Sequence, residues 1–428
     1  MTIETALEWI HSRLKFNIRP GLTRIEALLE LLGNPEKELS MLHIAGTNGK
    51  GSTVAFTRGI LEQLGLNVAT FTSPFISSFG ERMSINGHPI PDEKLIMYVE
   101  QLKPLVEAMD KKEKLAGITE FEIITALAFR YFADEKVDVA LIEVGLGGLL
   151  DSTNVIQPVA TAITTIGMDH MDILGDTIEK IAAQKAGIIK PHTPLVTGKI
   201  ANEALAVIAQ TAQKNQAQHY QYSIDYQVDI LENERFNYRD DEIHLLNLEK
   251  SLLGLHQIDN AALAVKLTMI YAHEVGLSLS EEAIREGLRK TFWPARMEEI
   301  SQEPLTILDG AHNVHAIQRL LENLKNEFSG RKITILFSAL ITKDITEMIK
   351  MLQTVDNSKL ILTTFDYPKA LKLEDFAHLE KENVMLAEDW KSTYTALKAN
   401  LREEDVLLMT GSLYFMSQIR AYILELEQ

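Results

Sequence analysis

The chain contains no cysteine, which excludes disulfides, thiolate zinc clusters and thiol nucleophiles and disfavours a disulfide-stabilised secreted scaffold. A reducing, cytoplasmic setting is expected. Positive charge is also short, with 42 Lys and Arg against 60 Asp and Glu and a formal net charge of −18. That balance argues against wrapping nucleic acid or an anionic membrane on a broad basic face, and leaves small anionic substrates open. Long apolar runs are missing: the stretch 137–150 is broken by Asp138, Glu143 and glycines, well short of the roughly 20 apolar residues of a spanning helix. The start, Met1-Thr-Ile-Glu-Thr-Ala, has no basic segment leading into an apolar core, so no secretory signal is expected. There are no repeats and no low-complexity tracts. What remains is a soluble chain of 428 residues, 46% hydrophobic and 24% charged, long enough for two or three globular units with sizeable cores.

Short β-branched runs alternate with stretches of helical period, the pattern of a parallel sheet covered by helices. Strands are expected at Met41–Ala45, Val68–Phe71, 137–144 and 159–166. Between the first two, Val54, Ile60, Leu61 and Leu64 give residues 52–64 an apolar helical face ended by Gly65, which makes a βαβ unit. Residues 220–249 alternate in the manner of hairpins at the rim of a sheet, and a helix returns over 257–274. At Phe292-Trp-Pro-Ala-Arg296 the helical pattern stops. A second series of strands then runs through 305–308, 333–338, 359–362 and Val406–Thr410. The fold class is therefore α/β, with one domain over 1–295 and a smaller one over 296–428.

His43-Ile-Ala-Gly-Thr-Asn-Gly-Lys-Gly-Ser52 joins a strand to a helix, where a phosphate cradle belongs. Gly46, Gly49 and Gly51 let backbone amides turn toward an anion, the helix presents its positive end, and Lys50 adds a point charge. The general pattern G-x-x-x-x-G-K-[ST] is not met, because Ile44 holds the first glycine position and Gly51 separates Lys50 from Ser52. Elsewhere, Glu143 sits at the carboxyl end of an expected strand, the edge where open α/β sheets bind ligands. Lys185 lies among Ala182, Ala183, Ala186 and Ile189, where poor solvation favours a neutral amine able to add CO₂.

Gly46-Thr-Asn-Gly-Lys-Gly-Ser52 resembles the nucleotide loop of the Mur ligase superfamily, and of its folate branch in particular. Further matches follow in chain order: Thr72-Ser-Pro74 with Glu81-Arg82, Thr119-Glu-Phe-Glu122, Glu143-Val-Gly-Leu-Gly-Gly148 with Asp151-Ser-Thr-Asn154, Asp169-His170, and Lys185-Ala-Gly-Ile-Ile-Lys190. His256-Gln-Ile-Asp-Asn260, Trp293-Pro-Ala-Arg296, Leu308-Asp-Gly-Ala-His-Asn313 and Thr410-Gly-Ser-Leu-Tyr414 complete the series. On these motifs, which span nearly the whole chain, the sequence is similar to the folylpolyglutamate synthase/dihydrofolate synthase family.

The resemblance implies a P-loop ATPase-like first domain with a mostly parallel sheet, a Rossmann-like second domain, and an active site between them. It implies ATP-driven joining of glutamate to a folate, or to dihydropteroate, through an acyl phosphate. By the same resemblance ATP meets Asn48, Gly49, Lys50, Gly51, Ser52, Asn260, Arg296 and Asp309, and Mg²⁺ is held by Ser73, Glu143 and His170. Lys185 carries a carbamate that supports the metal site, and Lys50, Lys185 and His312 are the catalytic candidates. Leu22, Thr23, Arg24, Thr119 and Asp151 face the folate; His312 and Ser412 face the incoming glutamate. His312 either orients that glutamate or takes its proton, and Ser412 either binds its carboxylate or caps a helix. Glu81-Arg82 either orders the loop after Ser73 or forms a salt bridge.

The partners expected are small molecules only, on a monomeric chain, with the need for a monovalent cation open. Leu149, Gly80 and Val314 depart from residues frequent in the family, which bears on substrate preference. Two rival readings remain: a muramyl-peptide ligase with the same ATP chemistry, and a nucleotide-binding regulator without catalysis.

Overall fold

The computed structural model describes residues 1–16, 19–76, 78–341, 345–381 and 383–426. These residues form two compact units. The first comprises 1–73, 80–251 and 257–291; the second comprises 74–79, 252–256 and 292–428. Two short segments of the first expected domain thus pack with the second unit, and the long cut falls just before Phe292 rather than at Arg296.

The first unit is built on eight strands: β1 (Met41–Ala45), β2 (Val68–Phe71), β3 (Met83–Ile85), β4 (His88–Pro89), β5 (Val139–Glu143), β6 (Ala160–Ile163), β7 (Leu195–Thr197) and β8 (His219–Gln221), ordered β4-β3-β2-β5-β1-β6-β7-β8. All neighbours from β2 to β8 are parallel, and β3 and β4 extend the sheet antiparallel. β1 and β5 are buried at every position, as central strands covered on both faces must be. The 220–249 region differs from the expected rim: after β8 it forms a separate antiparallel sheet of β9 (Tyr226–Ile230), β10 (Phe236–Asp240) and β11 (His244–Leu248). Its buried Tyr226, Phe236 and Tyr238 give it an apolar face of its own. It is tied to the His256–Val275 helix by Lys266, whose Nζ donates to Asp240 at 2.8 Å.

The helix that follows β1 starts at Lys50, two residues earlier than its apolar pattern suggests, and buries Val54, Ala55, Phe56, Ile60 and Leu61. It crosses the Glu281–Lys290 helix backbone to backbone at Gly59 and Gly287. A Cβ on Gly287 would lie 2.5 Å from Ile60 Cα, and one on Gly59 would lie 2.7 Å from the Gly287 carbonyl. Backbone cannot yield as a side chain can, so Gly287→Ala is expected to destabilise the protein by about 1–3 kcal/mol. A thermal melt checks this, and an unchanged midpoint rejects it.

The second unit is a six-stranded sheet of β12 (Glu298–Gln302), β13 (Leu305–Asp309), β14 (Ile333–Phe337), β15 (Ser358–Thr363), β16 (Val384–Ala387) and β17 (Val406–Thr410), ordered β12-β13-β17-β14-β15-β16. Only β12 runs antiparallel to its neighbour. One face packs Ile307, Ile335 and Leu408 against Ile317, Leu320 and Ile349; the other packs Leu336, Leu407 and Met409 against Phe415, Met416 and Ile419.

Candidate active site

The glycine loop between β1 and its helix is stapled to the segment after β6. The Thr47 amide donates to the Thr165 carbonyl at 2.8 Å and the Asn48 amide to Thr165 Oγ1 at 3.1 Å. Thr164 Oγ1 donates back to the Asn48 carbonyl at 2.6 Å. Two positions demand glycine. Gly46 (φ 152°) would drive a Cβ to 1.8 Å from Thr164 Oγ1, and Gly49 (φ 89°), at the helix N-cap, would drive one to 2.4 Å from Asn260 Oδ1. Because the Thr47 and Asn48 amides are engaged, the donors offered to an anion are those of the first helical turn, Lys50, Gly51 and Ser52, which have no intrahelical acceptor. Asn260 lies over the loop beside Gly49, held by its own bond to Gln257 Oε1 at 2.9 Å.

Two lysines meet at one carbonyl. Lys50 Nζ and Lys185 Nζ each donate to the Gly46 oxygen at 3.0 Å. Lys185 reaches it from the Ile178–Ala186 helix, whose Ala182 and Ala186 pack with Ala45, Val144 and Ile163 at the strand ends. Burial first, and then the charge of Lys50, push the Lys185 amine down to about 7; Asp169 and Asp151 oppose the shift. The sequence reading of Lys185 as a poorly solvated amine thus has a geometric basis.

Glu143, at the end of β5, is 5% exposed. Its Oε1 lies 3.9 Å from Lys50 Nζ and its Oε2 accepts the Ser73 amide at 3.2 Å. Ser73 thus lies against the Glu143 carboxylate through its amide; a carboxylate and a serine hydroxyl are hard oxygen donors, the type that suits Mg²⁺. His170 is placed differently. It sits in the left-handed region (φ 47°) with its side chain 54% exposed, and its contact is with Asp169, 3.8 Å from Nε2. Among the described residues no three His, Asp or Glu side chains converge on one metal-sized point.

The residues expected to face folate are tied into the scaffold. Thr119 caps the Glu120–Asp134 helix in a capping box with Glu122. Arg24 Nε lies 3.0 Å from Glu122 Oε1, with only 11% and 2% of the two side chains exposed. Leu22 and Thr23 open the Thr23–Leu31 helix that carries Arg24. Arg82 pairs with Glu120 at 3.0 Å, so Glu81-Arg82 contributes a buried salt bridge. Asp151 is buried, which raises its pKa, and its oxygens accept the amides of Leu146 and Thr153. Phe121 lies so close to Gly145 that a Cβ there would meet its ring at 2.5 Å.

In the second unit Arg296, Asp309, His312 and Ser412 gather at the carboxyl ends of β13 and β17, around Gly310. A Cβ on Gly310 would lie 2.7 Å from Arg296 Nη1 and 2.1 Å from Leu413 Cδ2, next to the buried Ser412. Ala295 (φ 52°) and Met297 (φ 48°) flank Arg296 in the left-handed region, a strained arrangement of the kind that collects at functional sites. The Met297 amide donates to Asp309 Oδ2 at 3.0 Å and the Ala295 amide to Glu298 Oε2 at 2.8 Å, which holds both turns in place. Burial raises the Asp309 pKa against the Arg296 charge. His312 Nδ1 is 2.8 Å from the Gly310 carbonyl; a carbonyl only accepts, so Nδ1 carries a proton.

Residues 44–268 match the Mur ligase middle domain and residues 295–413 the Mur ligase, glutamate ligase domain. A Bacillus subtilis protein named dihydrofolate synthase/folylpolyglutamate synthase is 44% identical over 423 residues, covering 97% of this chain and 98% of that one. The chain belongs to the folylpolyglutamate synthase/dihydrofolate synthase family of Mur ligases. Among solved family members, Mycobacterium tuberculosis folylpolyglutamate synthase complexed with ADP matches with a TM-score of 0.88 at 30% identity, covering 98% of each chain. A structure titled FPGS-AMPPCP-folate complex matches with a TM-score of 0.86 at 36% identity, covering 99% of this chain and all of that one.

Against that family background, two of the three departures have local explanations. Gly80 has a backbone oxygen, that of Ile90, 3.0 Å from where a Cβ would sit, so a side chain there requires the chain to shift. Val314 is the first residue of the Val314–Glu327 helix, where proline is favoured but Asn313 supplies the cap through Oδ1. Leu149 is 45% exposed beside Leu150, and nothing in the structure explains its departure. Sequence reasoning missed Thr164 and Thr165, which brace the loop, and Asp169, which faces Lys185; only the Asp169-His170 motif signalled any of them.

Proposed function

We propose that the chain joins L-glutamate to the γ-carboxyl of a folate through an acyl phosphate, releasing ADP and phosphate. The observation that carries this reading is the convergence of Lys50 and Lys185 on the Gly46 carbonyl, at a helix N-terminus and beside the buried Glu143. Both reacting partners are anions, and this is where cationic charge and amide dipoles are concentrated. The named ATP-analogue, folate and ADP complexes of similar structures support the same substrates.

In the first step a folate carboxylate oxygen bonds to the γ-phosphorus while the bond from that phosphorus to the β–γ bridging oxygen breaks. Lys50 and the Lys50–Ser52 amides hold the phosphates in line for this. In the second step the glutamate amine bonds to the acyl carbon, the carbon–oxygen bond to phosphate breaks, and the amine gives up a proton. In this reading His312 takes that proton or orients the glutamate, Ser412 binds the glutamate carboxylate, and Arg296 and Asp309 hold the nucleotide. Glu143 and Ser73, with His170 as a further ligand, would hold Mg²⁺, which neutralises phosphate charge when bound. The Lys185 amine is suited to carry a carbamate beside Lys50. Asp151, Thr119, Leu22, Thr23 and Arg24 shape the folate side.

We read residues 1–295 as the ATP- and folate-binding domain and 296–428 as the glutamate-ligase domain of a cytoplasmic monomer. No helix among the described residues is long and apolar enough to cross a membrane. The name of the B. subtilis relative supports a second activity, dihydropteroate plus glutamate to dihydrofolate. ADP release with tetrahydrofolate or dihydropteroate, each with glutamate, decides both points. Release that requires folate and glutamate together is expected. Hydrolysis independent of both favours a nucleotide-binding regulator, and release with a muramyl precursor favours the muramyl-ligase rival.

A further inference from the structure

Behind the glycine loop lies a buried chain of three polar side chains, two of which, His43 and Thr153, have no part in the steps above. His43, in the middle of β1, is fully buried, and its Nε2 is 2.9 Å from Thr153 Oγ1. Thr153 Oγ1 is 2.5 Å from Asp151 Oδ1. The same carboxylate accepts the Thr153 amide at 3.0 Å and the Leu146 amide at 2.8 Å. Leu146 follows Glu143 by three residues, and His43 pairs in register with Ile142, the residue before Glu143.

Proton counting sets the direction of the chain. A hydroxyl has one proton, and Asp151, which receives two amides, takes it. The Thr153 oxygen must then accept from His43, which puts the imidazole proton on Nε2. His43 Nδ1 is left as a lone pair with no hydrogen-bond partner among the described residues. Burial, reinforced by the charge of Lys190, pushes the imidazole down to about 3, so the ring is neutral at working pH. A neutral, buried ring with a fixed tautomer is a poor proton shuttle and a good strut.

We propose that His43 and Thr153 are positioning residues: through Asp151 they fix the loop 144–148 and thereby aim the Glu143 carboxylate at its root. The inference rests on the ligase reading above and deepens it. Removing the Thr153 hydroxyl leaves the buried His43 Nε2–H without its acceptor and takes one donor from Asp151, and removing His43 leaves the Thr153 oxygen without its donor; either change loosens the side chain that accepts the Leu146 amide.

Four variants test it. Thr153→Val and His43→Leu remove a link; Thr153→Ser keeps the hydroxyl, and His43→Gln keeps an N–H near the position of Nε2. The first two are expected to lower kcat by about tenfold to a hundredfold, as sub-ångström misplacement does, and to raise the Mg²⁺ concentration for half-maximal rate, with KM for glutamate unchanged. The second two recover most of both losses. A long-range ¹⁵N–¹H spectrum of the histidine rings reads the chain without turnover: His43 is a neutral Nε2–H tautomer in the wild type, and its shifts move in Thr153→Val. Wild-type ADP release that needs folate and glutamate secures the ligase reading separately. Given that activity, valine and leucine variants equal to serine and glutamine variants in kcat and Mg²⁺ requirement overturn the inference. An Nδ1–H tautomer at His43 overturns it whether or not the wild type ligates.

Discussion

Lys185→Met loses ligase activity and gains thermal stability at neutral pH. Both effects follow from where the amine sits. Burial and the Lys50 charge bring its pKa from 10.5 in the unfolded chain to about 7 in the folded one. Between those values the unfolded chain binds the extra proton, so stability rises with pH across that window, and the cost of burying the amine is fully present below about pH 7. Methionine fills similar space with no charge to desolvate and removes that cost. The melting temperature in CO₂-free buffer is therefore expected to exceed wild type at neutral pH, by a margin that shrinks as pH climbs toward 10.5. Equal or lower melting temperatures at pH 7 would refute this.

The activity loss has a different cause. A neutral amine can add CO₂ and release a proton, and the resulting carbamate anion replaces a repulsive Lys50 neighbour with an attractive one. Losing a fixed charge of this kind from a phosphoryl-transfer site is expected to lower kcat by about a hundredfold to a thousandfold. Lys185→Ala leaves a space that acetate or formate can enter, so part of its lost rate should return when either is added. Normal activity in Lys185→Ala without an added carboxylate ends the carbamate reading.

The sequence revealed the parallel sheets because central strands such as β1 and β5, buried on both faces, read as short, mostly apolar runs, with His43 alone polar in β1 and Glu143 at the end of β5. It revealed the glycine loop because three glycines and a lysine at a strand-to-helix junction leave few other uses. It did not reveal that Thr47 and Asn48 give their amides to Thr165, since residues 117 and more positions apart carry no local pattern linking them. The independent sheet at 226–248 was read as a rim because alternation reports that one face of a strand is buried, not which partner covers it. Arg24 and Thr119 show a further limit. Motif order marked them as substrate-facing, while the fold ties one into a buried ion pair and the other into a helix cap; both arrangements preserve the same residues. For Lys185 the environment was legible, because small apolar neighbours at helical spacing predict a desolvated amine, but its shared acceptor with Lys50 needed three dimensions.

That shared acceptor gives the last prediction. Lys50→Met takes away the cation 3.9 Å from Glu143 Oε1 and one of two donors to the Gly46 carbonyl. With the charge meant for the phosphates gone, kcat/KM for ATP is expected to fall by about a thousandfold. Lys50→Arg should restore little, because a planar fork does not reproduce a compact ammonium that donates to both the Gly46 and the Thr47 carbonyls. The substitution also acts at a distance from the nucleotide. The Lys50 charge lowers the Lys185 pKa, so its removal raises that pKa and leaves less neutral amine near pH 7. With ¹³C-labelled bicarbonate, the pH at which half of Lys185 carries a carbamate signal should therefore move upward in Lys50→Met relative to wild type. A midpoint that stays put or moves down would mean that the two ammonium groups do not sense each other, and the picture of Gly46 as their common anchor would have to be abandoned.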